Sequence, residues 1–259
     1  MPKQVTISDP QVLIDEINRF MATLKKLLLY SVYICIQVAG LAALGLCCKW
    51  VVHHLGGYSL ATPEQIFNYH PALMILSMIV INGNGILVYR IQRCVGYRQQ
   101  KWLHFGIQFV ATVLALVGAY AVYHFHAVKH IPHLYSLHSW LGLSVLVTMI
   151  LMSLAGFVTF LWPGLGSSTQ RLIIPLHAFY GLFNFLMAAM VVLTGLTEKA
   201  LFSMTSPGQQ YRDSPPAAQL VNLIGIAVVI CTALVLGLAI NDDLRRRVSG
   251  SGDKQTKKH

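Results

Sequence analysis

Charge is what this 259-residue sequence has least of: Asp, Glu, Lys and Arg make up 11% of it, against about 25% in soluble domains. That deficit excludes an ordinary water-soluble enzyme. The hydrophobic share of 55% excludes a disordered or collagen-like chain. Acids are scarcer still: between Lys26 and Glu198 the only carboxylate is Glu64, and positions 130–170 contain no Asp, Glu, Lys or Arg. The cysteines Cys35, Cys47, Cys48, Cys94 and Cys231 form no zinc knuckle, disulfide framework or C-x-x-C-H motif. They read as small buried hydrophobes. A cleavable leader is not expected, because the first apolar run begins only after Lys25 and Lys26.

What the sequence does contain is apolar runs. A helix crossing a membrane uses about 20 apolar residues, and runs at 27–49, 66–89, 102–124, 136–162, 172–197 and 220–240 predict six such helices. The expected organisation is a cytosolic N-terminal segment at 1–26, a transmembrane domain at 27–240 and a basic cytosolic tail at 241–259. The net charge of +10 does not gather into one basic face, so a nucleic-acid partner is not expected. The cations instead sort by side. Fifteen fall in the N-terminal segment (Lys3, Arg19, Lys25, Lys26), the loop after the second span (Arg90, Arg93, Arg98, Lys101), at Arg171 and in the tail. Lys49, Lys129, Lys199 and Arg212 lie opposite. The positive-inside rule then predicts both termini in the cytosol.

Among the histidines, His70, His104, His138 and His177 each sit near the start of one of four consecutive spans, the second to the fifth. Because the helices alternate in direction, His70 and His138 fall near the outer surface, and His104 and His177 near the inner one. A single such histidine reads as an interfacial residue hydrogen-bonded at a helix end. Two pairs at matched depths read differently, since ionisable groups inside membranes usually line an internal site. Imidazole suits iron, copper or zinc. Two lone histidines make a poor tetrahedral zinc site but fill the two axial positions of a haem, which then passes electrons. Helix geometry sets the two irons roughly 20 Å apart along the membrane normal.

The flanks add cations and more imidazoles. Lys101 lies one turn before His104 on the same helix face, with Arg90, Arg98 and Arg171 also near the inner pair. They read either as topology signals or as an anion site. On the outer side His124, His126, Lys129, His130 and His133 read as solvated loop groups or as a place for an acceptor metal. Gly83, Gly85, Gly142, Gly156 and Gly181 suit either close helix packing or the room a flat porphyrin needs.

The strings Phe67-Asn-Tyr-His-Pro71, Ile86-Leu-Val-Tyr-Arg90, Lys101-Trp-Leu-His104, Leu134-Tyr-Ser-Leu-His-Ser-Trp140, Pro175-Leu-His177 and Gly195-Leu-Thr-Glu-Lys199 resemble the cytochrome b561 family of transmembrane ascorbate-dependent oxidoreductases. The resemblance implies an all-α integral membrane protein of six transmembrane helices, the second to fifth forming a four-helix haem-binding bundle. It implies two non-covalent b haems, with His70 and His138 on the non-cytoplasmic one and His104 and His177 on the cytoplasmic one. Arg90, His133, Leu134, Tyr135, Ser136 and Glu198 would surround the haems. Lys101, with Arg98 and Arg171, would hold ascorbate, and His126 would serve the outer substrate. The implied activity carries electrons from cytosolic ascorbate to monodehydroascorbate or chelated ferric iron, in a homodimer of a vesicle, endosomal, lysosomal or plasma membrane. The alternative is a histidine-based, proton-coupled metal transporter. The lack of an intramembrane carboxylate counts against it.

Overall fold

The structure is a computed structural model that describes residues 10–241. Among these residues six helices are long and apolar enough to cross a membrane: α1 (Pro10–His54), α2 (Pro63–Ile91), α3 (Tyr97–Lys129), α4 (Leu137–Phe160), α5 (Ser167–Ser203) and α6 (Pro216–Ile240). The chain is an all-α membrane protein. Five helices contain their expected apolar runs and four of these continue past both ends; α4 is the exception, starting after Ser136 and ending at Phe160, short of the expected 162. α1 begins well before residue 27, so much of the segment expected to precede the first span is helical and continuous with it. Lys3 and the tail cations Arg245, Arg246, Arg247, Lys254, Lys257 and Lys258, which enter the charge count, lie outside the described residues.

Helix starts follow local chemistry. The hydroxyl of Thr62 accepts from Gln65 N at 3.3 Å with Pro63 in the first turn of α2, and Ser136 caps α4 through Ser139 N at 3.3 Å. The turn before α2 needs Gly56 and Gly57, whose φ angles are 82° and 76°. The buried Asn68 side chain clamps that turn, donating to the Leu55 and Gly57 carbonyls at 2.8 Å each.

α2 is not uniform. It is α-helical over Pro63–Phe67, Tyr69–Met74 and Asn82–Ile91, with a π-helical segment over Ile75–Ile81. Such segments add a residue to a turn and frequently mark functional sites.

α2 packs on α3, α3 on α4, α4 on α5, and α5 back on α2, closing a four-helix bundle; α1 and α6 pack mainly on each other and cover its α2–α5 side. The larger core cluster joins α1 and α6 to that side through Ile36, Trp50, Phe185, Ile224 and Val228. A second cluster fills the middle of the bundle with Met78, Ala111, Ala115, Val145, Met149 and Ala188. Around this plug Ser77 and Thr112 donate to the carbonyls of Met74 and Gln108 one turn earlier on their own helices, and Asn184 donates across from α5 to Val145 O on α4. Large apolar side chains such as Leu151, Leu154, Phe179 and Phe183 are exposed on the outside, as a lipid-facing surface requires.

Candidate functional site

The bundle brings its four histidines together in two pairs. The ring centroids of His70 and His138 are 6.2 Å apart with their planes at 83°, and those of His104 and His177 are 6.3 Å apart at 72°. A metal–imidazole nitrogen bond is about 2 Å and an imidazole nitrogen lies about 1.1 Å from its ring centre, so two rings on opposite sides of one metal ion have centroids roughly 6 Å apart. Both pairs meet that distance. Each pair supplies two facing nitrogen donors, the set that would fill the two axial positions of a six-coordinate haem iron.

Main-chain carbonyls fix the rings. Nδ1 of His70 donates to Gly118 O at 3.0 Å, that of His104 to Gly85 O at 2.7 Å and that of His138 to Val191 O at 3.0 Å. A carbonyl only accepts, so Nδ1 carries the proton and Nε2 keeps the lone pair a metal needs. Glycines provide the clearance. A Cβ added to Gly195 would lie 2.5 Å from His138 Cε1, and one added to Gly156 would lie 3.0 Å from His177 Cε1.

The two layers are related by a repeated interval. On α3, Gly118 lies fourteen positions after His104, and on α5, Val191 lies fourteen after His177. At 1.5 Å per residue the layers stand about 21 Å apart. On α2, Gly85 lies fifteen positions after His70, and the π-helical segment sits between them. The central plug occupies the space between the layers.

At the inner layer Lys101 Nζ donates to Phe160 O at 3.4 Å and to Gln170 Oε1 at 3.3 Å, and lies 5.1 Å from the Tyr97 ring centroid. It thus sits at the negative end of the α4 dipole. Phe160 also packs edge-on against His177, with centroids 5.4 Å apart. Arg98 and Arg171 are exposed, and Arg90 reaches across to donate to Ala239 O on α6.

At the outer layer four rings stack in sequence. Tyr123 and His133 are 5.0 Å apart, His133 and His126 are 5.6 Å apart, and His126 and Tyr135 are 6.0 Å apart. The Tyr135 hydroxyl donates to Glu198 Oε1 at 2.9 Å and the Ser136 hydroxyl to Glu198 Oε2 at 3.0 Å. Burial, then the Glu198 carboxylate, push the Tyr135 phenol up to about 12, so it stays a donor at neutral pH. Leu134, at φ 55°, accepts the Trp140 indole N–H at 2.7 Å. Tyr135, Ser136, His138, Thr194 and Glu198 line one groove of about 510 Å³ at the edge of the outer pair. His124 instead packs on Tyr120, and His130 ends α3 in the left-handed region. Among the described residues no three His, Cys, Asp or Glu side chains converge as a metal site.

Gly118 and Gln170 carry contacts that sequence reasoning does not single out, and the string bounded by Gly195 and Lys199 does not reveal what those two residues touch. The fourteen-residue interval from His104 marks Gly118. Gly195 follows His177 by eighteen positions, as Gly156 follows His138. Gln170 and Lys199 have no such signal, because their partners are distant in sequence.

The family model for eukaryotic cytochrome b561 matches residues 69–203, a stretch that holds both histidine pairs. The plasma membrane ascorbate-dependent reductase CYBRD1 of Rattus norvegicus is 34% identical over 200 residues, covering 76% of this chain and 69% of the relative. The transmembrane ascorbate ferrireductase 2 of Arabidopsis thaliana is 32% identical over 210 residues, covering 80% of this chain and 90% of its own. The transmembrane ascorbate-dependent reductase CYB561 of Homo sapiens is 35% identical over 210 residues, covering 81% and 82%. With its paired histidines inside the matched stretch, the chain belongs to the eukaryotic cytochrome b561 family.

Proposed function

We propose that this protein is an ascorbate-dependent transmembrane oxidoreductase. It takes electrons from cytosolic ascorbate and passes them through two bis-histidine b haems to monodehydroascorbate or chelated ferric iron on the other side. The observation that carries the reading is the pair of facing imidazole couples, 6.2 Å and 6.3 Å between centroids, set about 21 Å apart along the bundle. A bound haem supplies at each level a one-electron carrier whose iron needs no exchangeable ligand. His70 and His138 would hold the outer group, and His104 and His177 the inner one. The carbonyls of Gly118, Gly85 and Val191 keep three of these rings in the ligating tautomer. Tyr135, Ser136 and Glu198 border the outer group.

Ascorbate is an anion at neutral pH, and in giving one electron it also releases one proton. Lys101 supplies the cation for it. Its hydrogen bonds to Phe160 O and Gln170 Oε1 are made with neutral acceptors, so an anion can displace them at small cost. Arg98 and Arg171 add charge at the same face, and His126 serves the outer substrate. In this reading residues 1–26 and 241–259 are cytosolic, and the family's homodimer is retained.

A visible spectrum of the purified protein tests the proposal. Two haems per polypeptide, reduced on adding ascorbate, are expected; a colourless protein overturns it. Lys101→Ala is expected to raise the ascorbate concentration needed for half-maximal reduction by about tenfold, the loss of one charge-assisted hydrogen bond, with haem content unchanged. An ascorbate titration matching wild type removes Lys101 from the site.

A further inference from the structure

Lys199 has no role in the site as built so far. Its ammonium lies 4.4 Å from the centroid of Phe67, and the nearby carboxylates are engaged elsewhere. Glu198 accepts from Tyr135 and Ser136, and Glu64 pairs with Lys129. Among the described residues no carboxylate lies within ion-pair distance of Lys199, which is itself partly buried. A cation merely anchoring a helix end would extend into the water. This one folds back over an aromatic ring, where cation–π attraction holds it.

That ring leads to the outer histidine pair. Phe67 packs 5.8 Å from His70 and 5.1 Å from Phe125, which in turn lies 5.9 Å from His126. Lys199 and His126 therefore stand at opposite ends of an aromatic floor whose underside touches a proposed axial ligand. Glu64 acts on Lys199 only through space and is itself paired with Lys129, and a partly buried cation in that position favours an incoming anion, since the anion offsets its lost hydration. We propose that Lys199 is the anion-recognising group of the outer acceptor site, docking acceptors that carry a carboxylate or enolate charge over Phe67. The proposal rests on the electron-relay reading and adds what selects the acceptor.

The experiment uses the full-length holoprotein in liposomes with ascorbate inside and the acceptor outside. The orientation is fixed by selecting vesicles whose cytosolic face is internal. The probes are ferric citrate, an anion, and a ferrocenium derivative carrying a quaternary ammonium, a cation. Lys199→Gln is expected to raise the KM for ferric citrate about tenfold, the scale of local electrostatic focusing, and to flatten its salt dependence. The KM for the cationic probe stays level or falls. Haem content and internal ascorbate reduction remain at wild-type values, and Lys199→Arg restores the anionic probe.

Equal loss with both probes, or loss of outer haem, overturns the assignment and makes Lys199 a structural or haem-edge group. An unchanged citrate KM overturns it as well. A wild-type protein that delivers electrons to neither probe overturns the relay reading itself, a failure visible before any variant is compared.

Discussion

His138→Ala is expected to leave one haem per polypeptide in place of the two proposed for the wild type, and to abolish electron passage across the bilayer. The His138 ring faces His70 across 6.2 Å, and its own neighbours are the Val191 carbonyl and Gly195. The inner pair is about 21 Å away and its two ligands stand on α3 and α5, so ascorbate should still reduce the remaining group. A pyridine haemochrome assay gives the stoichiometry, and liposomes with a trapped acceptor give the transfer. Retention of two haems would sink the ligand assignment. Added imidazole, which can enter the vacated volume, is expected to restore part of the outer haem and so separates a missing ligand from a misfolded chain. His104→Ala is expected to give the mirror image, losing the inner haem and reduction by ascorbate together.

Gly195→Ala, the addition of one methyl group, is expected to do nearly as much harm to the outer centre. The new Cβ would stand 2.5 Å from His138 Cε1 and 2.9 Å from its Nδ1. Real carbon atoms do not approach so closely, so either the ring or α5 must move. The ring cannot swing freely, because its Nδ1 is tied to Val191 O one turn earlier on the same helix. Loss of that hydrogen bond also loosens the tautomer, a kind of change that typically costs ten- to a hundredfold in metal affinity, so the outer haem should be retained about tenfold less well or worse. Gly181→Ala is the control. Nothing lies within 4 Å of its added Cβ, so haem content should stay at two and the helix should gain up to about 1 kcal/mol from the lost backbone freedom. Wild-type stoichiometry and spectrum in Gly195→Ala would show that the ring does not need the clearance.

The helix count and the pairing of His70 with His138 and of His104 with His177 could be read from apolar runs and alternating direction alone. A hydropathy reading stops where charge begins, however, and hydrogen-bonded backbone does not. Asp15, Glu16, Arg19, Lys25 and Lys26 end the apolar signal part-way along α1, yet the helix runs through them from Pro10, because exposed polar residues are adequate helix formers. α3 and α5 likewise continue beyond their apolar runs to Lys129 and Ser203. The π-helical segment of α2 has no local signature in Ile75–Ile81; it becomes intelligible only when His70 and Gly85 must each meet α3. Gly156 could be noticed as small but not as the neighbour of His177. Lys101 could be placed near an anion site from its spacing to His104, whereas Gln170, which holds it, comes from the far side of α4. Long-range packing decides these contacts, and one sequence does not record it.

The apolar plug of Met78, Ala111, Ala115, Val145, Met149 and Ala188 between the two layers has an electrical consequence. Among the described residues its polar neighbours Ser77, Thr112 and Asn184 spend their hydrogen bonds on main-chain carbonyls, so these three side chains form no relay with one another for hydrogen ions to follow the moving electron. Under the relay proposed here, each turnover is a net transfer of charge through the insulating interior. Its driving force would then shift with the voltage across the bilayer, by up to about 2.3 kcal/mol for every 100 mV.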